Sequence, residues 1–577
     1  MMLLSCSNEN AAVKESRNNI VTLVTTLPTP TGTPPANAPN ITRSVMTDNG
    51  DGTISTQWEE NDKVWVYYNG NSTEGKVAQA IVTSVDINGN ATITVDLEDP
   101  KTGDSPIRFG FPYNHWSNNI DIHKQEGTLQ SLKDNHAASL GEGILNISGD
   151  KASLLSEVTM TPQVCIWKFG FKDGANDITS DIVNLRITFG EDEYVVTPSS
   201  LSSIYVALNG DKVGEGIPKD ITIRATTESG TYKISKSEVC LYQGKMYTSN
   251  NLALTKLTLD DFSLQVLSSE FIYETAPFPS CHASTVLETK DGLLAAWFGG
   301  TQERNPDVCI YCSRYNGSSW SEPVLVADGI QSESLRYPCW NPVLFRQSNG
   351  TIAMFYKVGP SPEEWWGEYK ISLDDGATWG NRVKLADGML GPIKNKPLQL
   401  PNERVLYPTS KEYSLNNWKV FIESSEQDFS DWRIQTVDNG EFNAIQPTLF
   451  YLNGKLEMYC RTQEGTIAKA TSTDLGKSWS ALSGTTLPNN NSGLDGIVLD
   501  NGLRLIVCNP ITGDRNRLSV MGSLDGEHWK EMLVLENQLS GEFSYPATIR
   551  RSDGTMEVTY TYKREKIKHV HLNILEV

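Results

Sequence analysis

The chain has little that suits a nucleic acid or a membrane. Its 577 residues carry 49 Lys and Arg against 70 Asp and Glu, a net charge of −21, and no basic stretch offsets that charge. A protein that neutralises a phosphate backbone needs the opposite balance, so the composition argues against nucleic acid as a partner. No apolar run approaches the length of a membrane-spanning helix. A polyanionic substrate would need a locally cationic pocket.

Metal-ligand patterns are scarce as well. Nine cysteines contain no paired CxxC motifs, and the chain has only seven histidines. Cys309 and Cys312 form a single CxxC in the apparent strand DVCIYCS, where residues three apart point to opposite faces. The pattern favours buried free thiols, and it predicts neither a metal nor an organic cofactor.

What the chain does contain is a repeated turn. SLDDGATW from Ser372 and STDLGKSW from Ser472 fit S-x-D-x-G-x-[TS]-W, a polar hairpin turn closed by a Trp. Looser copies begin at Ser313, Ser425 and Ser523. The Trp residues are spaced by 59, 53, 47 and 50 residues: Trp320, Trp379, Trp432, Trp479 and Trp529. This period suits one four-stranded propeller blade per repeat.

Alternating or apolar runs between these turns predict strands, with no helix-length amphipathic stretch among them. The predicted strands cover residues 292–298, 351–357, 455–460, 503–508 and 555–562. A final group from Tyr545 to Leu575 makes six repeats, and a segment near residues 273–287 is expected to close the ring. We therefore predict an all-β chain with a six-bladed β-propeller over residues 268–577. The repeated acidic residues, Asp374, Asp474 and Asp525, are expected in rim turns as structural staples.

The start of the chain predicts a location. MMLLSCS places Leu3, Leu4 and Ser5 before Cys6, which resembles the lipobox of a bacterial lipoprotein, where the Cys is acylated. The stretch before Cys6 is too short for a complete signal peptide, so residues 1–40 are interpreted as a signal remnant followed by a Pro/Thr/Asn-rich tether from Leu27. The resemblance implies attachment to the outer membrane or cell surface through a lipid anchor, or a periplasmic location.

Residues 41–265 predict a second all-β region of short strands separated by DG, NG and GD turns. Four segments carry a resemblance to the fimbrillin-like surface lipoproteins of Bacteroides-type bacteria: TQWEENDKVWVYYNG from Thr56, FGFPYN from Phe109, WKFGF from Trp167 and LYQGKMYTSNNLALTK from Leu241. The resemblance implies β-sandwich modules without catalytic residues. A spacer is favoured here over a carbohydrate-binding role.

In a propeller, the first strand of each blade lines a central channel, and ligands bind at one mouth of it. The segments expected there are HAST, CWNPVL, IKNKPLQL, IQPTLF, SGLDGIVL and SYPATI. Their polar members are the candidate channel residues His282, Asn341, Lys394, Lys396, Gln446, Asp495 and Tyr545.

The Asp-box turns, the blade period, and the run from His282 through PDVCIYCSRYNGSSWSEP resemble the sialidase superfamily over the C-terminal half. Such enzymes use three arginines for the substrate carboxylate, an acidic acid/base, and a Tyr nucleophile assisted by a Glu. The resemblance implies that Arg461 in MYCRTQEG is the second arginine and Arg515 in GDRNRLSV the third. It makes Tyr545 in GEFSYP the nucleophile, with Phe543 competing for that register.

Two expected groups are replaced. His282 stands where the first arginine is expected, and Gln446 stands where the assisting Glu is expected. The acid/base is assigned to Glu303 or Asp307 in the loop TQERNPDV. These departures put sialic acid as the substrate in doubt.

Aromatic residues near the same mouth could stack on sugar rings. Trp366, of the pair Trp365-Trp366, is interpreted as a rim platform, and Trp340 as core or channel wall. Three functions remain open. The first is an extracytoplasmic, exo-acting sialidase-like glycoside hydrolase that removes a terminal acidic sugar. The second is a uronate-cleaving lyase with His282 or Tyr545 as base, and the third is a non-catalytic glycan-binding propeller.

Overall fold

The computed structural model describes residues 20–28, 46–50, 54–71, 75–112, 122–212 and 214–576. Cys6 and most of the predicted tether lie outside the described residues. The chain is all-β, as the alternating patterns predict. It divides into two compact units, Met1–Lys256 and Leu257–Val577.

The first unit contains two hydrophobic cores. One core lies against an eight-stranded sheet, in which strands such as Ala91–Glu98 bury alternate residues. The strands of this sheet, in spatial order, are Ile20–Leu27, Ala91–Glu98, Gly75–Val85, Lys63–Asn69, Gly103–Phe111, Ser139–Ser148 and Lys151–Leu154, with Thr161–Pro162 paired to Ser139–Ser148.

The second core packs a four-stranded sheet against a six-stranded one. Phe169 and Phe171 from the smaller sheet meet Leu185 and Ile187 from the larger. The smaller sheet contains Asn176–Asp177, Val164–Asp173, Ile204–Asn209 and Met246–Ala253. The larger contains Thr255–Lys256, Gly230–Val239, Lys219–Thr227, Asn184–Phe189, Asp192–Val196 and Lys124–Gln125. The fimbrillin-like assignment stays a prediction.

Helical structure in the described residues is confined to single turns. These turns are the α-helical Leu129–Ser131, the π-helical Leu132–His136, and the 3-10 turns Thr179–Asp181 and Leu259–Asp261. Two small hairpins complete the inventory: Met46–Asp48 with Ile54–Thr56, and Ile330–Ser332 with Leu335–Arg336. None of the helices in the described part of the chain is long and apolar enough to cross a membrane.

The second unit contains six four-stranded antiparallel sheets within residues 257–576. The first sheet contains Ser280–Thr289, Gly292–Gly300, Cys309–Tyr315 and Val324–Ala327. The second contains Cys339–Arg346, Ile352–Val358, Trp366–Ser372 and Val383–Lys384. The third sheet contains Leu398–Gln399, Val405–Ser414, Asn417–Ser425 and Arg433–Thr436. The fourth contains Ala444–Leu452, Lys455–Thr462, Thr466–Ser472 and Ser483–Pro488. The fifth sheet contains Asp495–Val498, Arg504–Cys508, Arg517–Ser523 and Lys530–Asn537. The sixth contains Phe543–Arg550, Met556–Tyr562, Lys566–Glu576 and Phe262–Phe271.

Each sheet packs its face against the next, and the sixth packs against the first. Leu294 of the first sheet meets Leu344 of the second, and Val286 of the first meets Ile549 of the sixth. Second strands such as Gly292–Gly300 are buried throughout because the sheets are covered on both faces. The strands predicted between the turns are therefore confirmed as the second strands of these sheets.

The sheet that closes this series differs from the prediction. Strand Phe262–Phe271 pairs with Lys566–Glu576 and completes the sixth sheet. The segment 273–287, which was expected to close the ring, instead leads into Ser280–Thr289, the first strand of the first sheet. The second unit therefore begins at Leu257, ahead of the predicted residue 268, because the closing strand precedes the first sheet.

The repeated turns follow the third strand of their sheets. Asp374 accepts hydrogen bonds from the Ser372 hydroxyl at 2.8 Å and from the Thr378 backbone N–H at 2.8 Å. Asp474 makes the same contacts with Ser472 and Ser478. These hydrogen bonds hold the pKa of Asp374 at about 2, so the carboxylate stays charged as a turn staple.

The described cysteines are all free, and most are buried. Cys309 and Cys312 lie in one strand and are both buried. Burial raises the pKa of the Cys281 thiol to about 12, which makes it inert. The prediction of buried free thiols is confirmed for Cys281, Cys309, Cys312, Cys339, Cys460 and Cys508.

Candidate active site

A backbone irregularity recurs in the first strands of the sheets. In four of the six sheets of residues 257–576, the register shifts near the start of the first strand. A residue with a side chain has a positive φ at each shift: Ala283 at 54°, Asn341 at 40°, Gln446 at 55° and Tyr545 at 52°. Such conformations cost about 1–3 kcal/mol each, and bulges redirect side chains. Backbone strain thus coincides with three of the predicted channel residues.

Tyr545 is the centre of the resulting cluster. Its hydroxyl oxygen accepts a hydrogen bond from Arg461 Nη1 at 2.6 Å and lies 3.4 Å from Gln446 Nε2. The Arg461 and Arg515 guanidinium carbons lie 5.7 and 5.5 Å from the Tyr545 ring centroid, and Lys394 Nζ lies 5.6 Å from it. The structure therefore brings two of the predicted arginines together around one half-buried phenol ring.

Arg461 is held by contacts on several sides. It is 7% exposed, its Nε donates to Asn491 Oδ1 at 2.7 Å, and its Nη1 also donates to Gln446 Oε1 at 3.2 Å. The guanidinium carbon lies 5.5 Å from the Trp418 ring centroid. Within the part of the chain that the structure describes, no carboxylate lies at salt-bridge distance from Arg461, so its charge is available to an anionic ligand.

A second cationic group comes from Arg515 and Arg564, which share one carboxylate. Arg515 Nη1 and Arg564 Nε contact the two oxygens of Glu542, each at 2.9 Å. Burial raises the pKa of Glu542, but the hydrogen bond and charge of Arg564 outweigh burial and leave that pKa below its usual value. Arg515 also donates to the Asn491 carbonyl at 3.0 Å. Asn491 therefore links both predicted arginines.

His282 lies against Tyr545 but away from solvent. Its ring centroid is 4.0 Å from that of Tyr545, its Nδ1 lies 2.9 Å from Thr561 Oγ1, and the residue is 2% exposed. Its Nε2 is buried and has no hydrogen-bond partner among the described residues. Burial holds the pKa of His282 well below its usual value, and the nearby Arg564, Arg515, Lys394 and Arg461 add to that effect. The imidazole is therefore neutral.

Lys394 lies in the interior close to Tyr545. Its Nζ donates to the carbonyls of Pro546 and Leu494, and it is 2% exposed. Burial lowers its pKa to about 7. A Cβ on Gly493 would come within 2.5 Å of the Lys394 side chain, so the missing side chain at Gly493 makes room for the lysine.

The two loop carboxylates assigned as acid/base candidates are already engaged. Glu303 Oε2 pairs with Arg564 Nη1 at 2.6 Å. Asp307 accepts from the backbone N–H and hydroxyl of Thr301 at 2.8 and 2.6 Å, so it closes a turn. Burial raises the pKa of Asp307, but the Thr301 hydrogen bonds outweigh it and lower the pKa overall.

A carboxyl group that sequence reasoning missed, that of Glu412, lies within electrostatic range of Arg461. Glu412 stands opposite Trp418 in the strand pair, and Trp418 contacts Arg461. Burial raises the pKa of Glu412, which the charge of Arg461 only partly offsets. In the sequence, Glu412 stands only at the end of an apolar strand, in KEYS, and this position does not distinguish a partly buried acid from an exposed one.

Lys396 and Asp495 lie in an internal network. Asp495 accepts from Lys396 Nζ at 2.9 Å, from the Thr448 hydroxyl at 2.8 Å and from the Thr548 backbone N–H at 2.9 Å. These donors come from the segment that precedes the third sheet, from the fourth sheet and from the sixth sheet. Asp495 thereby joins the first strands of the fourth, fifth and sixth sheets, and this geometry does not favour a substrate-binding role for Lys396 and Asp495.

The two aromatic candidates differ in exposure. Trp340 is buried, and its indole N–H donates to the Gly359 carbonyl at 2.9 Å, as a core residue does. Trp366 is half-buried and donates to Glu368 Oε1 at 2.9 Å. Trp366 lines a cavity that is separate from the contacts of Tyr545. Asn341 is buried at its bulge in the second sheet.

Arg564 and Asn491 were also missed from the sequence. Arg564 occupies a tight turn between the second and third strands of the sixth sheet, with φ at 63°. Asn491 has φ at 59° and precedes the first strand of the fifth sheet. Neither lies in a first strand, so a search restricted to first strands could not find them.

Residues 291–558 match the BNR repeat-like domain. This BNR repeat-like region contains the three acidic turns and most of the candidate site, including Arg461, Arg515 and Tyr545. It covers slightly under half of the chain. No curated protein matches the chain significantly.

Solved structures that resemble the chain include two sialidase-type enzymes. The intramolecular trans-sialidase from Ruminococcus gnavus, in complex with oseltamivir carboxylate, is 13% identical with a TM-score of 0.42, over 54% of this chain and 98% of that one. A Hadza microbial sialidase is 12% identical with a TM-score of 0.46, over 97% and 94%. A protein of unknown function from Dyadobacter fermentans is 15% identical with a TM-score of 0.45, over 54% and 99%.

Proposed function

We propose that the protein is an exo-acting glycoside hydrolase that removes a terminal acidic sugar from a glycan, with Tyr545 as nucleophile. The observation that carries this proposal is the convergence of Arg461 and Arg515 on the Tyr545 ring. Two guanidinium groups beside a reactive hydroxyl suit a substrate whose carboxylate lies next to its anomeric carbon.

In the binding step, Arg461 supplies a buried charge that no carboxylate of the described residues neutralises. Arg515 contributes a second cation, although Glu542 already takes part of its charge. Asn491 fixes both groups relative to each other. A carboxylate bound there is largely removed from water, which strengthens its electrostatic attraction.

In the chemical step, the Tyr545 oxygen bonds to the anomeric carbon as the glycosidic bond breaks. Gln446 has no basic group, so the phenol proton passes to water. Arg461 and Gln446 donate hydrogen bonds to the oxygen, and both stabilise negative charge there when water later displaces the sugar. Glu412, whose pKa is raised, donates the proton to the departing oxygen. In the second step the Glu412 carboxylate takes a proton from the water that displaces the sugar, and the Tyr545 phenolate regains its proton from solvent.

A Tyr545→Phe variant tests this proposal, because it removes only the hydroxyl group. Parent and variant are incubated with aryl glycosides of sialic acid, of a uronic acid and of a neutral sugar, and the released sugars are separated by chromatography. Turnover of one acidic glycoside should fall by orders of magnitude in the variant. Tyr451→Phe, a partly buried Tyr of the fourth sheet, is the matched control. Full activity in Tyr545→Phe would reject the mechanism.

A second candidate is cleavage of a uronate by β-elimination, which a neutral imidazole beside Tyr545 favours. In that reaction one of His282 and Tyr545 removes the C5 proton, and the other donates a proton to the leaving oxygen. An unsaturated product absorbs in the ultraviolet, whereas a hydrolysis product does not. Binding of the same glycans without either product would identify a non-catalytic glycan-binding protein.

We infer further that the six sheets are the blades of a six-bladed β-propeller, since each packs against the next and the sixth against the first. The first unit is proposed to be a fimbrillin-like spacer, and Cys6 a lipidated residue that holds the protein at the outer membrane or cell surface. The spacer and lipidation proposals rest on the sequence patterns described above.

A further inference from the structure

A cavity of about 500 Å³ lies between the second and third sheets. Such a volume is within the range of small-molecule sites, roughly 300 to 1,000 Å³. The wall from the second sheet includes Trp365, Trp366 and Lys384, and the wall from the third includes Lys411, Tyr413 and Lys419. None of the residues that contact Tyr545 lines it, so it is a separate site.

The cavity is cationic in a strongly acidic protein. Its lining contains three lysines and a single carboxylate, Asp387, whereas the chain as a whole has a net charge of −21. Lys384 Nζ lies 4.0 Å from Asp387, and both are exposed. In the described part of the chain, Lys411 and Lys419 have no carboxylate at salt-bridge distance. The composition requires a local cationic pocket for any polyanionic ligand, and this cavity provides one.

Lys411 and Lys419 are direct cross-strand partners in the third sheet. Like charges placed opposite each other on adjacent strands destabilise a sheet. An anion held between the two ammonium groups would remove that repulsion. The pair therefore has the geometry of a site completed by a ligand.

Aromatic faces accompany the cations. The Trp366 ring is fixed by its hydrogen bond to Glu368, and Lys384 Nζ lies 5.5 Å from its centroid. Tyr413 is exposed, with Lys411 Nζ 5.2 Å from its ring centroid. Fixed aromatic faces stack on the apolar faces of sugar rings.

We propose that this cavity binds an anionic oligosaccharide, with carboxylate or sulfate groups on Lys411 and Lys419 and sugar rings on Trp366 and Tyr413. The site goes beyond the proposed hydrolysis, because it recognises a part of a glycan away from the reacting bond. One strand connects the two sites. Glu412 points to the face nearer Arg461, while its neighbours Lys411 and Tyr413 line the cavity on the other face.

Isothermal titration tests the proposal with three hexasaccharide probes. Oligogalacturonate carries carboxylates, a heparin hexasaccharide carries sulfates, and cellohexaose is neutral. Titrations use the parent and the Tyr545→Phe variant, which keeps the cavity but does not hydrolyse. At least one anionic probe should bind both proteins, more weakly as salt rises, and cellohexaose should not. The anionic probe that binds identifies the source of the charge.

The Lys411→Gln/Lys419→Gln double variant should bind that probe about tenfold or more weakly. Its melting temperature should equal or exceed that of the parent, because neither lysine is ion-paired in the described residues and the substitutions remove the repulsion between them. Lys455→Gln, an exposed lysine of the fourth sheet, is the control for a general loss of charge. The proposal is overturned if no anionic probe binds at millimolar concentration, if cellohexaose binds as well as they do, or if the double variant binds unchanged. Because Tyr545→Phe is expected to bind normally, failure of the hydrolase proposal leaves this result interpretable.

Discussion

Arg461 donates a 2.6 Å hydrogen bond to the Tyr545 hydroxyl oxygen across 84 residues of sequence, from the second strand of the fourth sheet to the first strand of the sixth. The positive φ at Tyr545 and the contacts of Arg461 with Asn491 and Trp418 fix both partners. The pair is therefore preorganised before any substrate arrives, which is what an electrostatic role in catalysis requires.

Replacing Arg461 by Ala should remove the charge that binds the substrate carboxylate. We expect kcat/KM for an acidic glycoside to fall by roughly 2–5 kcal/mol of transition-state binding, because the charge is desolvated. The corresponding neutral glycoside should be affected much less. Arg461→Lys keeps the charge but not the fork of donors, and should recover only part of the loss. Arg433→Ala, at an exposed position, is the control. Equal losses on acidic and neutral substrates would contradict a carboxylate-binding role.

Lys394 should make stability depend on pH above neutrality. Its pKa is lowered from 10.5 to about 7 by burial, so between these values the unfolded chain holds a proton that the folded one has lost. The free energy of unfolding should therefore rise with pH from about 7 to 10, by up to about 1.4 kcal/mol per pH unit for one proton. Lys394→Met should lose that slope. Lys357 shows the same shift, but it is present in both proteins and cancels in the difference. Urea unfolding of the parent and of Lys394→Met at pH 7, 8 and 9 measures this slope. If the free energy of unfolding changes equally with pH in the two proteins, the lowered pKa of Lys394 is contradicted.

Asp495 should matter for stability more than for substrate binding. Asp495→Ala leaves the Thr448 hydroxyl and the Thr548 N–H without their acceptor, and it leaves the Lys396 charge with only the Gly496 carbonyl. We expect a loss of about 3–5 kcal/mol in urea unfolding. Asp500→Ala, in an exposed pair with Arg550, should cost less than about 1 kcal/mol. A variant of normal stability that no longer binds substrate would restore the role that the sequence assigned to Asp495.

The anchoring prediction is tested in cells. With a complete signal peptide placed ahead of the chain, the protein should fractionate with membranes and incorporate labelled palmitate, because Cys6 would be acylated. Cys6→Ala should abolish the label and release the protein. Cys240→Ala, a partly exposed cysteine in the first unit, controls for loss of any thiol. If Cys6→Ala stays in the membrane fraction with its label, the lipobox resemblance is accidental.

The regular parts of the second unit were predictable because they repeat. The Ser–Asp–Trp turns fix the position of the third strand, and the apolar runs mark second strands buried on both faces. First strands were harder to interpret, since each mixes one residue that faces the site with others that join sheets. Asp495 and Tyr545 both lie near the start of a first strand. Asp495 nevertheless links sheets through its hydrogen bonds, whereas Tyr545 is the centre of the candidate site.

Two of the residues missed from the sequence, Arg564 and Asn491, come from a turn and a loop. Arg564 reaches the cluster from the hairpin that follows Tyr562, and it places a cation near His282, where the resemblance expects an arginine. Spacing within a repeat carries no information about such a turn. Glu412 was missed for a different reason, because its importance depends on burial beside Trp418 and Arg461 rather than on its neighbours in sequence.

The pairing of Phe262 with Glu576 has a consequence for biosynthesis. As the chain leaves the ribosome, strand Phe262–Phe271 emerges before the first five sheets, but its partner Lys566–Glu576 emerges only after them. Until Lys566–Glu576 emerges, strand Phe262–Phe271 has an unpaired edge, which is open to pairing with other chains. Contacts between such distant segments also fold slowly. A nonsense mutation at Lys566 would therefore leave five complete sheets, a sixth reduced to Phe543–Arg550 and Met556–Tyr562, and Phe262–Phe271 without its partner, so the truncated protein should go to aggregation or proteolysis.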